Sequence, residues 1–122
     1  MKNRKQPLFK SFGYAFEGIW TGISKERNMK IHCLAVILVT AVGTFVGLTP
    51  MEWRICLLLF GMVISLELVN TAVEAVVDLV TEERKPLAKI AKDTAAGAVL
   101  FTAIMAVIIG CIIFIPHFIA LL

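Results

Sequence analysis

The chain has 122 residues, of which 59% are hydrophobic and 17% are charged, and its formal net charge is only +3. A soluble domain of this length, in which about 45–50% of residues are usually apolar, would lack the polar surface to cover such a core. The composition therefore argues against a soluble or nucleic-acid-binding domain and predicts a single-domain, all-α membrane protein.

The first predicted element is an amphipathic surface helix over residues 8–30. Its large apolar side chains recur at steps of three and four, which places them on one face of a helix. They are Phe9, Phe12, Phe16, Ile19, Trp20 and Ile23. An aromatic apolar face with flanking basic residues is typical of a helix that lies in the membrane interface.

Three apolar segments follow, and we predict that each of them crosses the membrane. The first covers residues 31–48, which is just long enough for a hydrocarbon core of about 30 Å. The second runs over 53–80 after Pro50, and the third runs over 94–114. A basic cytoplasmic loop over 81–93 is expected to join the last two.

The distribution of Lys and Arg predicts the orientation of these segments. Seven of the twelve precede the first span and four lie in the 81–93 loop, whereas the 49–54 turn has only Arg54 and the C-terminal tail has none. Positively charged segments remain on the cytoplasmic side of a membrane. We therefore expect the N-terminus in the cytoplasm and the C-terminus outside.

Polar residues concentrate on one side of the second predicted span. At about 100° per residue they fall within an arc of about 100°, opposite a row of valines. They are Glu67, Asn70, Thr71, Glu74 and Asp78. Each carboxylate in hydrocarbon costs at least about 2–3 kcal/mol. The stripe therefore indicates a functional site, and its cost to a single small chain also predicts an oligomer that covers it.

The spacing of the stripe narrows its chemistry without naming a substrate. The charges of Glu67 and Glu74 repel unless a proton or a divalent cation intervenes, and hard divalent cations prefer oxygen ligands. A general base beside a Mg²⁺ site would satisfy both conditions. Thr71 can equally be a structural hydrogen-bonding residue, and Asp93 can be either a helix cap or a ligand.

The stretch from Glu67 to Asp78 reads ELVNTAVEAVVD, and Ala91-Lys92-Asp93 and a run of small residues follow it. This pattern resembles the signature of the small bacterial membrane lipid kinases, the prokaryotic diacylglycerol kinases and undecaprenol kinases. The resemblance extends over nearly the whole chain. It implies ATP- and Mg²⁺-dependent phosphorylation of a lipid alcohol by a homotrimer with shared sites in the bacterial cytoplasmic membrane.

The resemblance also implies roles for individual residues. Glu67 matches the general base of the family, and Glu26 and Glu74 match metal-binding carboxylates that also contact the nucleotide. The other nucleotide-contacting positions are matched by Tyr14, Glu83, Arg84, Lys85, Lys92 and Asp93. Support for the lipid substrate and the active site is assigned to Lys10, Phe16, Trp20, Asn70 and Asp78. Lys10 lies near Pro7, which stands where enterobacterial-type enzymes have an arginine.

The choice of lipid rests on two segments, 25–28 and 85–89, which resemble the Gram-positive branch of the family. That branch favours undecaprenol, and diacylglycerol is the alternative acceptor. An apolar groove formed by the surface helix and the first span is expected to hold the lipid. The residues expected to line it are Phe12, Phe16, Ile19 and Trp20.

Two alternatives come from other functional classes. One is a holin-like pore lined by the polar stripe, and the other is a proton-coupled transporter subunit with Glu67 as the carrier. Because the carboxylates gather at one membrane depth beside a basic loop, the sequence favours phosphate chemistry over both.

Overall fold

The structure is a computed structural model that describes residues 7–122. That part of the chain forms four α-helices, which are α1 (Leu8–Lys25), α2 (Arg27–Val46), α3 (Pro50–Val80) and α4 (Pro86–Leu121). The last three are each long and apolar enough to cross a membrane. The structure thus confirms an all-α architecture with three candidate spans.

The helix predicted over 8–30 is divided at Glu26. This residue has extended backbone angles, φ −98° and ψ 123°, so that α1 ends at Lys25 and α2 begins at Arg27. The Glu26 amide still donates to the Gly22 carbonyl over 3.2 Å, and the Glu26 carbonyl accepts from the Lys30 amide over 3.2 Å. The break therefore leaves these backbone groups paired, although neither Gly nor Pro marks it in the sequence.

A tight turn between α2 and α3 depends on two glycines. Gly47 ends α2 with a φ of +78°, in the left-handed region that favours glycine. The amides of Gly47 and Leu48 both donate to the Gly43 carbonyl, over 3.0 and 3.1 Å. A Cβ at Gly43 would approach Leu48 Cδ1 to 2.8 Å and Trp53 Cη2 to 2.9 Å. Gly43 is therefore required for the close packing of the turn.

The third helix begins at Pro50, three residues before the predicted span over 53–80, and its N-terminus carries a capping box. The Thr49 hydroxyl accepts from the Glu52 amide over 3.2 Å, and the Glu52 carboxylate accepts from the Thr49 amide over 2.9 Å. Pro50 occupies the first turn, where its missing amide proton has no cost. The 31 residues of α3 give a length of about 46 Å, which exceeds a hydrocarbon core of about 30 Å.

The predicted loop over 81–93 is reduced to residues 81–85. Pro86 opens α4, which continues for 36 residues through Pro116 to Leu121 instead of covering only 94–114. The basic residues after Pro86 indicated a loop from their composition, but they form the first turns of a helix of about 54 Å.

The helices α3 and α4 pack against each other in antiparallel directions. A contact between Glu52 and His117 joins the start of α3 to the end of α4, and a contact between Asp78 and Lys92 joins the opposite ends. The buried residues Leu48, Cys56 and Ile113 form a small apolar core. Partly buried residues such as Trp53, Phe60 and Phe114 pack against it. Most of the other large apolar side chains are exposed.

Candidate active site

The polar stripe of α3 runs from the interior of the chain to its surface. Glu67 is only 2% exposed and Asn70 is 5% exposed, whereas Glu74 is half-buried and Asp78 is exposed. The cover over Glu67 and Asn70 comes from the helices of this same chain. The expectation that one chain is too small to enclose the stripe is therefore wrong for its two deepest members.

Glu67 lies against His32 of α2. The His32 Nε2 atom is 3.6 Å from the Glu67 Oε2 atom, which is within ion-pair distance but longer than a hydrogen bond. One turn along α3, the Thr71 hydroxyl donates to the Glu67 carbonyl oxygen over 3.1 Å. Thr71 therefore uses its proton within α3 instead of joining α3 to a neighbouring helix.

A cavity of about 220 Å³ opens beside Glu67. Its polar lining combines Asn28 and His32 from α2 with Glu67 and Asn70 from α3. The rest of its wall is mostly apolar and comes largely from α4, through Ala96, Val99, Leu100 and Ala103. The cavity, which we call the Glu67 cavity, thus presents a carboxylate, an imidazole and two amides to a small polar group against an apolar wall.

Asn70 stands between Glu67 and Glu74 on the stripe. Its Nδ2 atom donates to Glu74 Oε1 over 3.2 Å. Its Oδ1 atom is buried and has no hydrogen-bond partner among the described residues. A buried acceptor without a partner costs about 1–3 kcal/mol, so native structures seldom retain one without a further ligand or a role. Asn70 Oδ1 is therefore a candidate ligand atom.

A wider cavity of about 560 Å³ lies where α3 ends and α4 begins, and we call it the basic cavity. It contains five of the predicted nucleotide-contacting residues, which are Glu83, Arg84, Lys85, Lys92 and Asp93. Lys92 Nζ lies 2.7 Å from Asp78 Oδ1, so that this lysine connects the basic cavity to the end of the stripe. The sequence-predicted basic groups are thus gathered at one end of α3.

The position of Asp93 excludes one of its two predicted roles. Because α4 begins at Pro86 with Lys85 as its N-cap, Asp93 lies two turns inside the helix and does not cap it. Its carboxylate instead pairs with Lys89, four residues earlier on the same face. Glu83 likewise pairs with Lys85, at 3.4 Å. Two of the three acidic residues that line the basic cavity, Glu83 and Asp93, therefore accompany lysines, and Glu82 is the third.

The residues predicted on the surface helix lie apart from both cavities. They are exposed on α1 and comprise Lys10, Tyr14, Phe16 and Trp20. Glu26 is half-buried at the junction of α1 and α2, two residues before Asn28. Within residues 7–122, no three His, Cys, Asp or Glu side chains form a group that could hold a metal ion.

An apolar groove of about 520 Å³ runs between α2, α3 and α4. Its lining includes Val39, Phe60, Val107 and Phe114, together with His32 at its polar end. The aromatic residues of α1 that were expected to form a lipid groove do not line it. His32 contributes to both the apolar groove and the Glu67 cavity, so the two spaces adjoin at this residue.

Sequence reasoning overlooked His32 and Asn28 as site residues. His32 carried a signal, because it is the one His, Asp, Glu, Lys or Arg residue of the predicted 31–48 span. Its contact with Glu67 joins residues 35 positions apart, and no local pattern indicates such a pair. Asn28 lies in a polar segment that gave no reason to separate it from its neighbours.

A family model described as prokaryotic diacylglycerol kinase matches residues 13–114. The chain belongs to this family. The match includes Glu26, the whole polar stripe of α3 and the Lys92-Asp93 pair, on which the resemblance rests. Family membership confirms the expected enzyme class, a lipid kinase, and the comparisons lend no support to a holin-like pore.

Relatives within the prokaryotic diacylglycerol kinase family carry two different names. The undecaprenol kinase of Bacillus subtilis is 48% identical over 115 residues, which cover 94% of each chain. The diacylglycerol kinase of Synechocystis is 40% identical over 116 residues, or 94% of this chain and 66% of the relative. The diacylglycerol kinase of Escherichia coli K12 is 30% identical over 111 residues, or 91% of each chain.

Proposed function

We propose that this lipid kinase transfers the γ-phosphate of ATP to undecaprenol, with diacylglycerol as the alternative acceptor. The observation that carries the proposal is the arrangement along α3. A buried carboxylate, Glu67, lines a small cavity, and the basic cavity begins about 16 Å further along the helix, near Asp78. Asn70 and Glu74 lie between the two. A nucleotide in the basic cavity would extend its phosphates along this stripe toward a lipid hydroxyl held beside Glu67.

In this proposal Glu67 acts as the general base. As the lipid oxygen bonds to the γ-phosphorus, its proton passes to the Glu67 carboxylate and the bond to ADP breaks. The burial of Glu67 supports this role, because little bulk water competes with the hydroxyl for the carboxylate. Little other covalent chemistry is required of the protein, since phosphoryl transfer depends mainly on positioning and charge stabilisation.

The nucleotide would occupy the basic cavity. Arg84, Lys85 and Lys92 would offset the negative charge of its phosphates, as their clustering around one cavity supports. The 2.7 Å contact with Asp78 would hold the Lys92 ammonium at the end of the stripe. Glu83 and Asp93 accompany lysines there, and Tyr14 would contact the nucleotide from α1.

Magnesium would be held by Glu26 and Glu74, with Asn70 as a further oxygen donor. Asn70 could supply that oxygen, because its buried Oδ1 has no hydrogen-bond partner among the described residues, while its Nδ2 donates to the Glu74 carboxylate. Mg²⁺ uses only about one or two carboxylates and completes its shell with phosphates and water. When bound, the ion would supply charge to orient and neutralise the phosphates.

Two observations support undecaprenol as the preferred acceptor in this proposal: the name of one relative and the presence of the apolar groove. The Bacillus subtilis relative at 48% identity carries the name undecaprenol kinase. The groove between α2, α3 and α4 would hold the apolar chain of the acceptor, while Lys10, Phe16 and Trp20 would contact the lipid from the membrane surface. An apolar pocket discriminates by only about 1–3 kcal/mol per group, so we expect a preference and not an exclusion.

The proposal also includes a placement in the bacterial cytoplasmic membrane. The N-terminus and the turn over 81–85 would face the cytoplasm, and the C-terminus would lie outside. Both α3 and α4 exceed the thickness of the hydrocarbon core, so that the basic cavity can project beyond it. The exposed aromatic face of α1, on which Trp20 is 67% exposed, would rest in the membrane interface.

A homotrimer with shared sites would complete the enzyme. In a single chain, Lys10 and Tyr14 line neither the Glu67 cavity nor the basic cavity, and Glu26 has no cluster of ligands around it. Residues with these assigned roles would therefore act at the site of a neighbouring chain. The many exposed apolar side chains of α2, α3 and α4 leave ample surface for such contacts.

A phosphorylation assay on the purified protein tests the proposal. In mixed micelles with MgATP, phosphate should enter the lipid phase only when a lipid alcohol is present, and kcat/KM should be higher for undecaprenol than for diacylglycerol. Micelles without an alcohol serve as the control. Turnover that is independent of any alcohol would reject the proposed reaction, and a higher kcat/KM for diacylglycerol would reverse the choice of acceptor.

A further inference from the structure

We infer that His32 is a positioning residue for Glu67, which it holds in the orientation that accepts the proton of the lipid hydroxyl. The inference rests on the proposed function and adds one residue to it. A carboxylate that acts as a base must be aligned with its proton donor, and a misplacement of about 1 Å can cost about 100-fold in rate. The buried carboxylate of Glu67 therefore needs a fixed partner on its other side.

His32 is the side chain placed to be that partner. Among residues 7–122 it is the one His, Lys or Arg side chain within 4 Å of the Glu67 carboxylate, and its Nε2 atom faces Oε2 at 3.6 Å. A buried carboxylate without a hydrogen-bonding or charged partner is costly. The contact through Oε2 leaves Oε1 for the acceptor hydroxyl. Catalytic hydrogen bonds often shorten only when substrate is bound, so the separation of 3.6 Å fits this role.

The location of His32 supports the same role. It lines both the Glu67 cavity and the apolar groove between α2, α3 and α4. An acceptor with its apolar chain in the groove and its hydroxyl in the cavity would lie against His32. His32 therefore lies where the orientation of Glu67 and the path of the acceptor can be set together.

The second histidine of the chain provides a matched control. His117 Nε2 lies 2.8 Å from Glu52 Oε1, so it also pairs a histidine with a glutamate across two helices. That pair joins the start of α3 to the end of α4, at the end of the bundle opposite the Asp78–Lys92 contact. A purely structural histidine–glutamate pair is thus available in the same protein.

The test compares His32→Leu and His32→Gln with the parent protein in mixed micelles, with His117→Gln as the control. Glutamine keeps an N–H donor near the position of Nε2, whereas leucine removes it. We expect kcat to fall about 10–100-fold in His32→Leu with an unchanged KM for MgATP, and to recover to within about threefold of the parent in His32→Gln. His117→Gln should keep the kcat of the parent. If His32→Leu does not fold, His32→Met replaces it.

Three results would overturn the inference. The first is a kcat in the leucine or methionine variant that equals that of the parent. The second is a glutamine variant that is as slow as the leucine variant, because the loss would then reflect packing. The third is a KM for MgATP that rises by about the same factor as kcat falls, because this would indicate a general distortion of the site. A parent protein that phosphorylates no lipid alcohol would instead overturn the proposed function itself, and the inference with it.

Discussion

Gly22 is the residue at which α1 meets α3, and its substitution gives a sharp test of that contact. Gly22 is buried, and a Cβ built on it would lie 2.6 Å from Leu68 Cδ2. Ordinary carbon contacts need about 3.5–4.0 Å, so either the leucine side chain or α1 must move by about 1 Å. Leu68 directly follows Glu67, so this movement would occur beside the proposed base.

The change in the free energy of unfolding that Gly22→Ala causes is the sum of two opposing effects. Overpacking costs about 1–3 kcal/mol, whereas alanine in place of glycine inside a helix gains about 0.5–1 kcal/mol. Gly18 lies one turn earlier on α1, and a Cβ there would meet nothing within 4 Å. Gly18→Ala should therefore show only the gain. Because Leu68 Cδ2 is the end of a flexible, half-buried side chain that can shift, the difference in unfolding free energy between the two variants should lie near the lower end of the overpacking cost, about 1 kcal/mol.

Denaturant unfolding in detergent micelles measures this difference, and the lipid phosphorylation assay measures its effect on the site. Gly22→Ala should be less stable than Gly18→Ala and should also have a lower kcat, with Gly22→Leu more strongly affected in both. Equal stability and equal activity of Gly22→Ala and Gly18→Ala would refute the reasoning, because α1 would then not be held against Leu68.

The remaining predictions concern the metal ligands and the shared sites. Glu26→Gln and Glu74→Gln should each need more Mg²⁺ for half-maximal activity, because each loses one oxygen ligand of the same ion. If either variant titrates with Mg²⁺ like the parent, the residue it replaces is not a ligand. Mixed assemblies of Glu67→Gln and Glu26→Gln should recover part of the activity that each variant lacks, because an intact Glu67 and an intact Glu26 can then meet between chains. The double variant gives the background, and co-assembly without recovery would argue for sites within single chains.

The sequence predicted the helical class and the functional stripe because both depend on local patterns. Long apolar runs indicate α2, α3 and α4, and the period of 3.6 residues places Glu67 and Glu74 on one face of α3. The start of α4 was also accessible, since Pro86 is typical of a first helical turn, but the basic composition of residues 84–92 suggested a loop instead.

The remaining features arise from packing between distant residues. The break at Glu26 has no glycine or proline to mark it, although Gly22, just before it, is pressed against Leu68. The burial of Glu67 by its own chain and the contact with His32 depend on how α2 and α3 come together. No periodicity in one segment contains that information, and the apolar groove likewise forms only where α2, α3 and α4 come together.

The most direct test of the proposed mechanism is a measurement of turnover and nucleotide binding in Glu67→Gln. We expect kcat to fall at least about 100-fold while the dissociation constant for MgATP stays within about twofold of the parent, since a general base acts on the acceptor and not on the nucleotide. Glu17 is an exposed residue of α1 with no assigned role, so Glu17→Gln should leave both kcat and the dissociation constant for MgATP unchanged. Retained turnover in Glu67→Gln, or a loss of MgATP binding that explains its inactivity, would contradict the role of Glu67 as the base.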